Sequence, residues 1–293
     1  MKWQPSKYLE DPQEYQRKYV TDKKDSMASH HGKFALIILN QPILIHRTLF
    51  NNVWENATYR ICADGGANRL YDLLKTDEER EKFLPDCIRG DLDSLRDSVK
   101  EYYQSVGVLV ELIEEQYSTD FMKCVEFVRA RDPSPSSHPS TTTTETGAES
   151  TVSSDTPDHR SQEERVASNL GIIALGGTSG RFDQSMSSIH HLYILNQERQ
   201  ATLVSNESIV IVLGAGAHEI TCNLDMEGPT CGIIPVGSTE AILTTTGLKW
   251  DIEDWKTSFG TQVSTSNELV GSKVTIQTNA PVVWTTEVRS AEI

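Results

Sequence analysis

Between residues 34 and 130, short apolar runs alternate with longer stretches of helical spacing. This rhythm restricts the fold more than any other feature of the chain. "FALIILN" (34–40) is apolar up to its final Asn, as expected of a strand buried on both faces. "RTLFNNVWENA" follows with helical character, then "YRICAD" (59–64) as a second strand. "ANRLYDLLK" (67–75) places Leu70, Leu73 and Leu74 on one side of a helix. "DCIRGD" (86–91) and "VLVELI" (108–113) read as a third and fourth strand, each followed or preceded by a helical stretch, "DSVKEYYQSVG" (97–107) and "STDFMKCVEFVRA" (118–130). "GIIALGG" (171–177) and "DQSMSSIHHLYILNQ" (183–197) repeat the pattern once more. Strands alternating with helices predict a mostly parallel sheet covered on both faces.

Two segments break the rhythm. Residues 132–166, rich in Ser, Thr and Pro, hold almost nothing apolar and cannot offset the entropy of ordering them; they read as a disordered insert. From about 201 onward the segments become short and β-rich, separated by Gly, Asn, Ser and Pro, the pattern of an antiparallel sandwich or barrel. Residues 1–32 are polar without a strong period and read as an N-terminal extension with one short helix. The expected organisation is an α/β, Rossmann-like domain over 33–203 carrying the insert 132–166, then an all-β sandwich over 204–293.

With a net charge of -15, the chain is a poor candidate for binding nucleic acid and a good one for binding cations. Its five cysteines are odd in number and include no CxxC pair, which argues against a disulfide framework or a zinc site and for a reducing compartment. The first twenty residues lack the apolar core of a signal peptide, and no stretch approaches a membrane span. The expectation is a cytoplasmic protein with no membrane partner.

Carboxylates recur where the strands end. Asp64 closes the second, Asp91 and Asp93 follow the third in "RGDLDSL", Asp120 follows the fourth, and Asp183 follows the fifth. In an open parallel sheet, ligands bind beyond the carboxyl ends of the strands. Any one such Asp is ordinarily a helix cap or a turn residue; five at one edge indicate a site. Residues i and i+2 of an extended segment point the same way, so Asp91 and Asp93 can face one ion together. Oxygen-only ligands with room for phosphate suit Mg2+ better than zinc. Glycines in "ADGGAN" and "LGGTSGR" would let the backbone approach phosphate, with Arg181 beside the second loop. Arg89 either does likewise or pairs with Asp91 beside it. Neither loop fits a P-loop or a GxGxxG fingerprint, and "LGAGAHE" (213–219) lacks the βαβ context for one. His190 and His191, mid-helix without ligand-spaced partners, read as one buried and one exposed imidazole.

Taken together, "ADGGANRLYD", "RGDLDSL", "QYSTDFMKC", "LGGTSGRFDQ", "TTGLKW" and "STSNE" resemble the thiamine pyrophosphokinase family of the eukaryotic type, over about 34–293 apart from the insert. The resemblance implies transfer of the diphosphoryl group of ATP to thiamine, giving thiamine diphosphate and AMP, with Mg2+. It implies that Asp64, Asp91, Asp93 and Asp120 hold the metal. Asp91, Asp93, Asp120 and Arg181 would serve the chemistry, with Asp91 or Asp120 receiving the hydroxyl proton. Gly65, Gly66, Asn68, Thr119, Gly177, Arg181, Asp183 and Gln184 would join Asp64 on the ATP side. Gln116, Thr246, Trp250, Ser266 and Asn267 would contact thiamine, Trp250 by stacking on the cationic ring. The family also implies a homodimer with the thiamine site shared between subunits. "QYSTD" departs from the commoner "QDSTD" by one acid. The competing readings are a thiamine- or nucleotide-binding sensor without catalysis and a metal-dependent phosphohydrolase.

Overall fold

The computed structural model describes residues 1–20, 32–115, 117–132 and 169–289. The chain opens with β1 (Lys2–Trp3), a 3-10 turn at Lys7–Leu9 and α1 (Pro12–Tyr15). Then come β2 (Phe34–Ile38), α2 (Arg47–Asn56), β3 (Tyr59–Ala63), α3 (Gly66–Leu73), α4 (Asp77–Arg80), β4 (Cys87–Gly90), α5 (Asp97–Ser105), β5 (Leu109–Leu112) and α6 (Asp120–Arg131). After the insert follow β6 (Gly171–Leu175), α7 (Phe182–Leu195), β7 (Ala201–Val204) and β8 (Ser208–Leu213). The rest is strand: β9 (Gly216–Thr221), β10 (Glu227–Ile234), β11 (Ala241–Thr246), β12 (Trp255–Thr257), β13 (Ser264–Glu268), β14 (Lys273–Thr278) and β15 (Val282–Val288).

β2 shows why the parallel strands are apolar throughout. All five of its side chains are buried, and they alternate between two cores. Phe34, Leu36 and Ile38 pack with Phe50 of α2, Leu70 of α3 and Tyr103 of α5; Ala35 and Ile37 pack with Val125 and Val128 of α6 and Leu192 and Leu195 of α7. Six strands run parallel in the order β7-β6-β2-β3-β4-β5, so the winding reverses between β2 and β6. This is the mostly parallel, helix-covered sheet that the alternation predicts.

The same sheet continues without a break into the C-terminal β-rich domain. β8 pairs antiparallel with β7, and β15, β10 and β13 follow, making ten strands in all. A second sheet, β1-β9-β14-β11-β12, lies across from this extension. Ile211, Leu213, Ile233 and Trp284 of one sheet meet Ile220, Leu243, Val274 and Ile276 of the other in a third core. β8 serves all three cores: Ile209 joins the first, Val210 and Val212 the second, and Ile211 and Leu213 the third. We propose the division at 203–204 on the change from parallel to antiparallel pairing, although the sheet itself runs across it.

Residues 1–20, within the N-terminal extension, pack against both halves of the fold. β1 adds a parallel strand to β9, with Trp3 opposite Ile220. The Trp3 indole donates to His218 Nδ1 (3.1 Å), and Ser6 donates to the fully buried Glu227 carboxylate (2.6 Å). Tyr8, Leu9 and Tyr15 then enter the core beside Phe34, while Asn56 of α2 donates to the carbonyls of Tyr8 and Glu10. The sequence hid this because Trp3, Tyr8, Leu9 and Tyr15 follow neither period 2 nor period 3.6. Residues 21–31 and the predicted insert from 133 onward lie outside the described residues. The flanks of the insert are joined: the Leu170 amide donates to the Asp132 carboxylate (2.6 Å), and fully buried Arg199 donates to the Leu170 carbonyl (3.0 Å).

Leu9 is 1% exposed, so Leu9→Ala should cost about 3 kcal/mol, the usual range for a buried leucine. Urea unfolding checks this; an unchanged midpoint would mean that the segment is not part of the folding unit.

Candidate active site

The carboxyl ends of β2, β3, β4 and β6 surround a cleft of about 380 Å3 where the strand order reverses. Leu39, Asn40 and Gln41 line it after β2, Asp64 after β3, Asp91 and Asp93 after β4, and Gly177 after β6. Thr119 and Asp120 enter from the start of α6, Arg181 and Gln184 from the start of α7. The first turns of α3, α6 and α7 thus all lie at this edge, where free amides and helix dipoles favour an anion.

Asp64, Asp91 and Asp120 form the centre. One carboxylate oxygen from each lies within 4.8 Å of the other two. Asp64 is 3% exposed; its Oδ2 accepts from the Ser94 amide (3.1 Å), and its Oδ1 is buried with no hydrogen-bond partner. Burial, then the nearby Asp120 charge, pushes the Asp64 carboxyl up to about 6. Gly90 makes the convergence possible. A Cβ there would stand 2.7 Å from Asp64 Cβ and 2.9 Å from Asp120 Oδ1. Asp120 Oδ1 also accepts from the Asp91 amide (3.3 Å).

Asp93 is not in this group. β4 ends at Gly90, and Leu92 adopts a left-handed backbone (φ 62°), so residues 91–93 turn instead of extending. The i, i+2 rule fails there, and the Asp93 carboxylate sits exposed at the cleft wall, accepting from the Ser94 hydroxyl (2.9 Å). A residue absent from the sequence reading stands in its place. Lys123, with 3% of its side chain exposed, reaches Asp120 Oδ1 at 3.1 Å and Asp91 Oδ2 at 3.6 Å. Burial opposes its charge, but the hydrogen bond and attraction of Asp120, then Asp91, outweigh it and hold its pKa above the usual value.

Several expected phosphate contacts have other partners. The Asn68 amide group donates to the Ser94 carbonyl (2.7 Å), and its oxygen accepts from the Arg96 amide (3.1 Å), bracing the loop after β4. Gly66 is needed for packing, since a Cβ would meet the Ile38 carbonyl at 2.1 Å; a Cβ on Gly65 would meet the Asn40 side chain at 2.3 Å. Arg181 is exposed and paired in a fork with Asp183 (2.5 and 3.1 Å). Arg89 pairs with Glu111 on β5 and not with Asp91.

Thr119 caps α6 by accepting from the Met122 amide (3.3 Å). Its Oγ1 also lies 2.7 Å from His191 Nε2. His191 Nδ1 faces the Ser187 carbonyl (2.9 Å), which can only accept, so Nδ1 carries the proton and Thr119 donates to Nε2. His191 is buried and stacked on Phe121, and His190 is exposed, as the pattern predicts. Burial, and secondarily His190, lowers the His191 pKa to about 4.

In the C-terminal domain, Trp250 is 53% exposed on the turn after β11. Buried Asn267 holds it from both sides, accepting from its amide (3.2 Å) and donating to its carbonyl (3.0 Å). Lys249 lies over the indole ring at 4.7 Å. Ser266 has a left-handed backbone (φ 56°), and Thr246 shares a hydroxyl hydrogen bond with Thr275 (2.6 Å). Of these four, Trp250 and Asn267 are in direct contact, and none of the four lines the acidic cleft. Gln116 lies outside the described residues.

Residues 50–205 match the family model "Thiamin pyrophosphokinase, catalytic domain", and 217–283 match "Thiamin pyrophosphokinase, vitamin B1 binding domain". The chain belongs to the thiamin pyrophosphokinase family. A thiamine pyrophosphokinase of Oryza sativa subsp. japonica is 36% identical over 265 residues, covering 88% of each chain. The Saccharomyces cerevisiae thiamine pyrophosphokinase is 36% identical over 252 residues, covering 80% of this chain and 79% of its own. Among solved structures, yeast thiamin pyrophosphokinase superposes with a TM-score of 0.73 at 30% identity, covering 92% of this chain and 89% of that one. The Candida albicans thiamin pyrophosphokinase gives 0.72 at 26% identity, covering 98% and 93%.

Against this family background, sequence reading missed Gly90 and Lys123. Lys123 had a signal: it falls three residues after Asp120, one helical turn away on the same face. Gly90 had none, because the need for it arises only from Asp64 and Asp120 meeting across the sheet edge.

The buried neutral His191 makes this thiamin pyrophosphokinase-family fold acid-sensitive. The unfolded chain binds a proton near pH 6.5 and the folded one near 4. The stability from this site is therefore present above about pH 6.5 and lost as pH falls toward 4, up to about 3 kcal/mol. Melting curves of wild type and His191→Gln should show a flatter acid limb in the variant; parallel limbs would refute the burial argument.

Proposed function

We propose that this thiamin pyrophosphokinase-family enzyme transfers the diphosphoryl group of ATP to the hydroxyl of thiamine, releasing AMP, with Mg2+ held by Asp64, Asp91 and Asp120. The observation that carries the metal assignment is the partnerless Asp64 Oδ1, buried beside two further carboxylates. A buried carboxylate oxygen without a donor is costly unless a cation completes it. Oxygen-only donors with an open side toward the cleft fit Mg2+. When bound, Mg2+ would neutralise the charge on the phosphates.

The rest falls to the chain. The first turns of α3, α6 and α7 face the phosphates with amide donors. The Arg181 fork, held by Asp183 at the rim, can exchange that partner for phosphate oxygens. Thr119 keeps α6 in register through its two hydrogen bonds, so its role is positioning and not direct phosphate contact. Asp120 Oδ1 already accepts from Lys123 and the Asp91 amide, which leaves Asp91, the more exposed carboxylate, to receive the hydroxyl proton. Asp93 belongs to the outer wall of the site.

Trp250 offers a half-exposed indole face to the cationic thiazolium. Its separation from the acidic cleft supports a homodimer in which one subunit presents Trp250, Thr246, Ser266 and Asn267 to the acids of the other. A cytoplasmic location fits the five free, buried cysteines and the lack of any membrane-crossing helix among the described residues.

Asp64→Asn should fold normally and lose turnover by at least about 100-fold, the scale of removing a charged group from a phosphoryl-transfer site. Products decide between the readings: AMP must form from ATP only when thiamine is present. Release of ADP or phosphate from ATP alone would favour a phosphohydrolase, and binding without turnover a sensor. Trp250→Ala should raise the KM for thiamine about ten-fold, a cation–π contribution, without changing that for ATP.

A further inference from the structure

Among the described residues, Lys123 is the one charged side chain buried against the acid triad that the reaction as described does not use. It has 3% of its side chain exposed and its ammonium lies between Asp120 (3.1 Å) and Asp91 (3.6 Å). Asp64, the third acid, accepts instead from the Ser94 amide (3.1 Å). Three carboxylates within 4.8 Å carry three negative charges, more than one divalent cation neutralises. A fixed ammonium in contact with two of them brings the cluster to two.

We infer that Lys123 is a positioning residue that matches the charge of the Asp64–Asp91–Asp120 cluster to a single divalent cation and so keeps the site open to anionic phosphates. This rests on the metal assignment proposed above and deepens it. The physical trade is between two ligands of opposite sign. Lys123 weakens the pull of the acids on a bare cation, because like charges within a few ångströms repel. It strengthens the site for the cation–nucleotide complex, because the polyphosphate is strongly anionic and would otherwise face uncompensated carboxylates. Three further features agree. The residue lies one helical turn after Asp120, so α6 sets both from one rigid element. Asp120 Oδ1 faces Lys123 and the Asp91 amide together, which pins one oxygen and frees the other. Asp64, the buried acid with the partnerless oxygen, is left for the cation alone.

The test uses Mn2+ alone as the probe, free ion being read by electron paramagnetic resonance on the full chain. Lys123→Met keeps the length of the stem and removes the charge. It should bind Mn2+ at least about ten-fold more tightly than wild type, while its KM for the metal–ATP complex rises about ten-fold and its kcat falls. Lys123→Arg should keep both affinities within about three-fold of wild type. A merely structural role would weaken both ligands together, so the opposed directions are the signature. Unchanged or weaker Mn2+ binding in a Lys123→Met protein with wild-type melting overturns the inference alone. If wild type shows no Mn2+ binding that Asp64→Asn removes, the metal assignment and the inference fall together.

Discussion

Three carboxylates repel one another, yet this fold holds Asp64, Asp91 and Asp120 within 4.8 Å, and much of the surrounding structure serves that convergence. Each acid comes from the end of a different strand or the start of a helix, so no local segment can build the group by itself. Gly90 supplies the space, Lys123 supplies a compensating charge, and the Ser94 and Asp91 amides fix the carboxylate oxygens. Asn68 braces the loop that carries Asp91, through two hydrogen bonds to Ser94 and Arg96. Residues that look like phosphate contacts in the sequence are partly this scaffold. The cost of repulsion is met by architecture, apart from the Asp64 Oδ1 atom, which is left without a hydrogen-bond partner.

A second constraint joins the two domains. The ten-stranded sheet runs from the parallel half into the sandwich, with β8 contributing side chains to all three cores. Residues 1–20 tie the same halves from outside: β1 is a strand of the sandwich, and Tyr8, Leu9 and Tyr15 belong to the core of the parallel sheet. The buried Glu227 carboxylate, accepting from Ser6 and Thr286, fastens this strap to β15. The Trp250 turn leaves β11 of the second sheet and is joined to β13, the edge strand of the ten-stranded sheet, by the two Asn267 hydrogen bonds.

What could be read in the chain beforehand follows the range of the physics. The parallel strands were legible because each is buried on both faces and therefore apolar without interruption, and the helices because one stripe of each faces the sheet. Asp64 and Asp120 stood out because Asp64 directly follows β3 and Asp120 opens the helix after β5. Asp93 does not join the three converging acids because Leu92 is left-handed and residues 91–93 do not extend. The N-terminal strap was missed because one strand pair and a few scattered aromatics leave no period to detect.

The sequence by itself determined the class of fold, the edge at which acids gather, and, through its motifs taken together, the thiamin pyrophosphokinase family. These depend on periodicity and order along the chain, which survive without coordinates. Only the tertiary structure decided which acids meet, that Lys123 stands among them, that Gly90 must lack a side chain, and that Thr119 gives its proton to His191. Those are contacts between residues up to 72 positions apart, and distance across a folded sheet is not written in spacing along the chain.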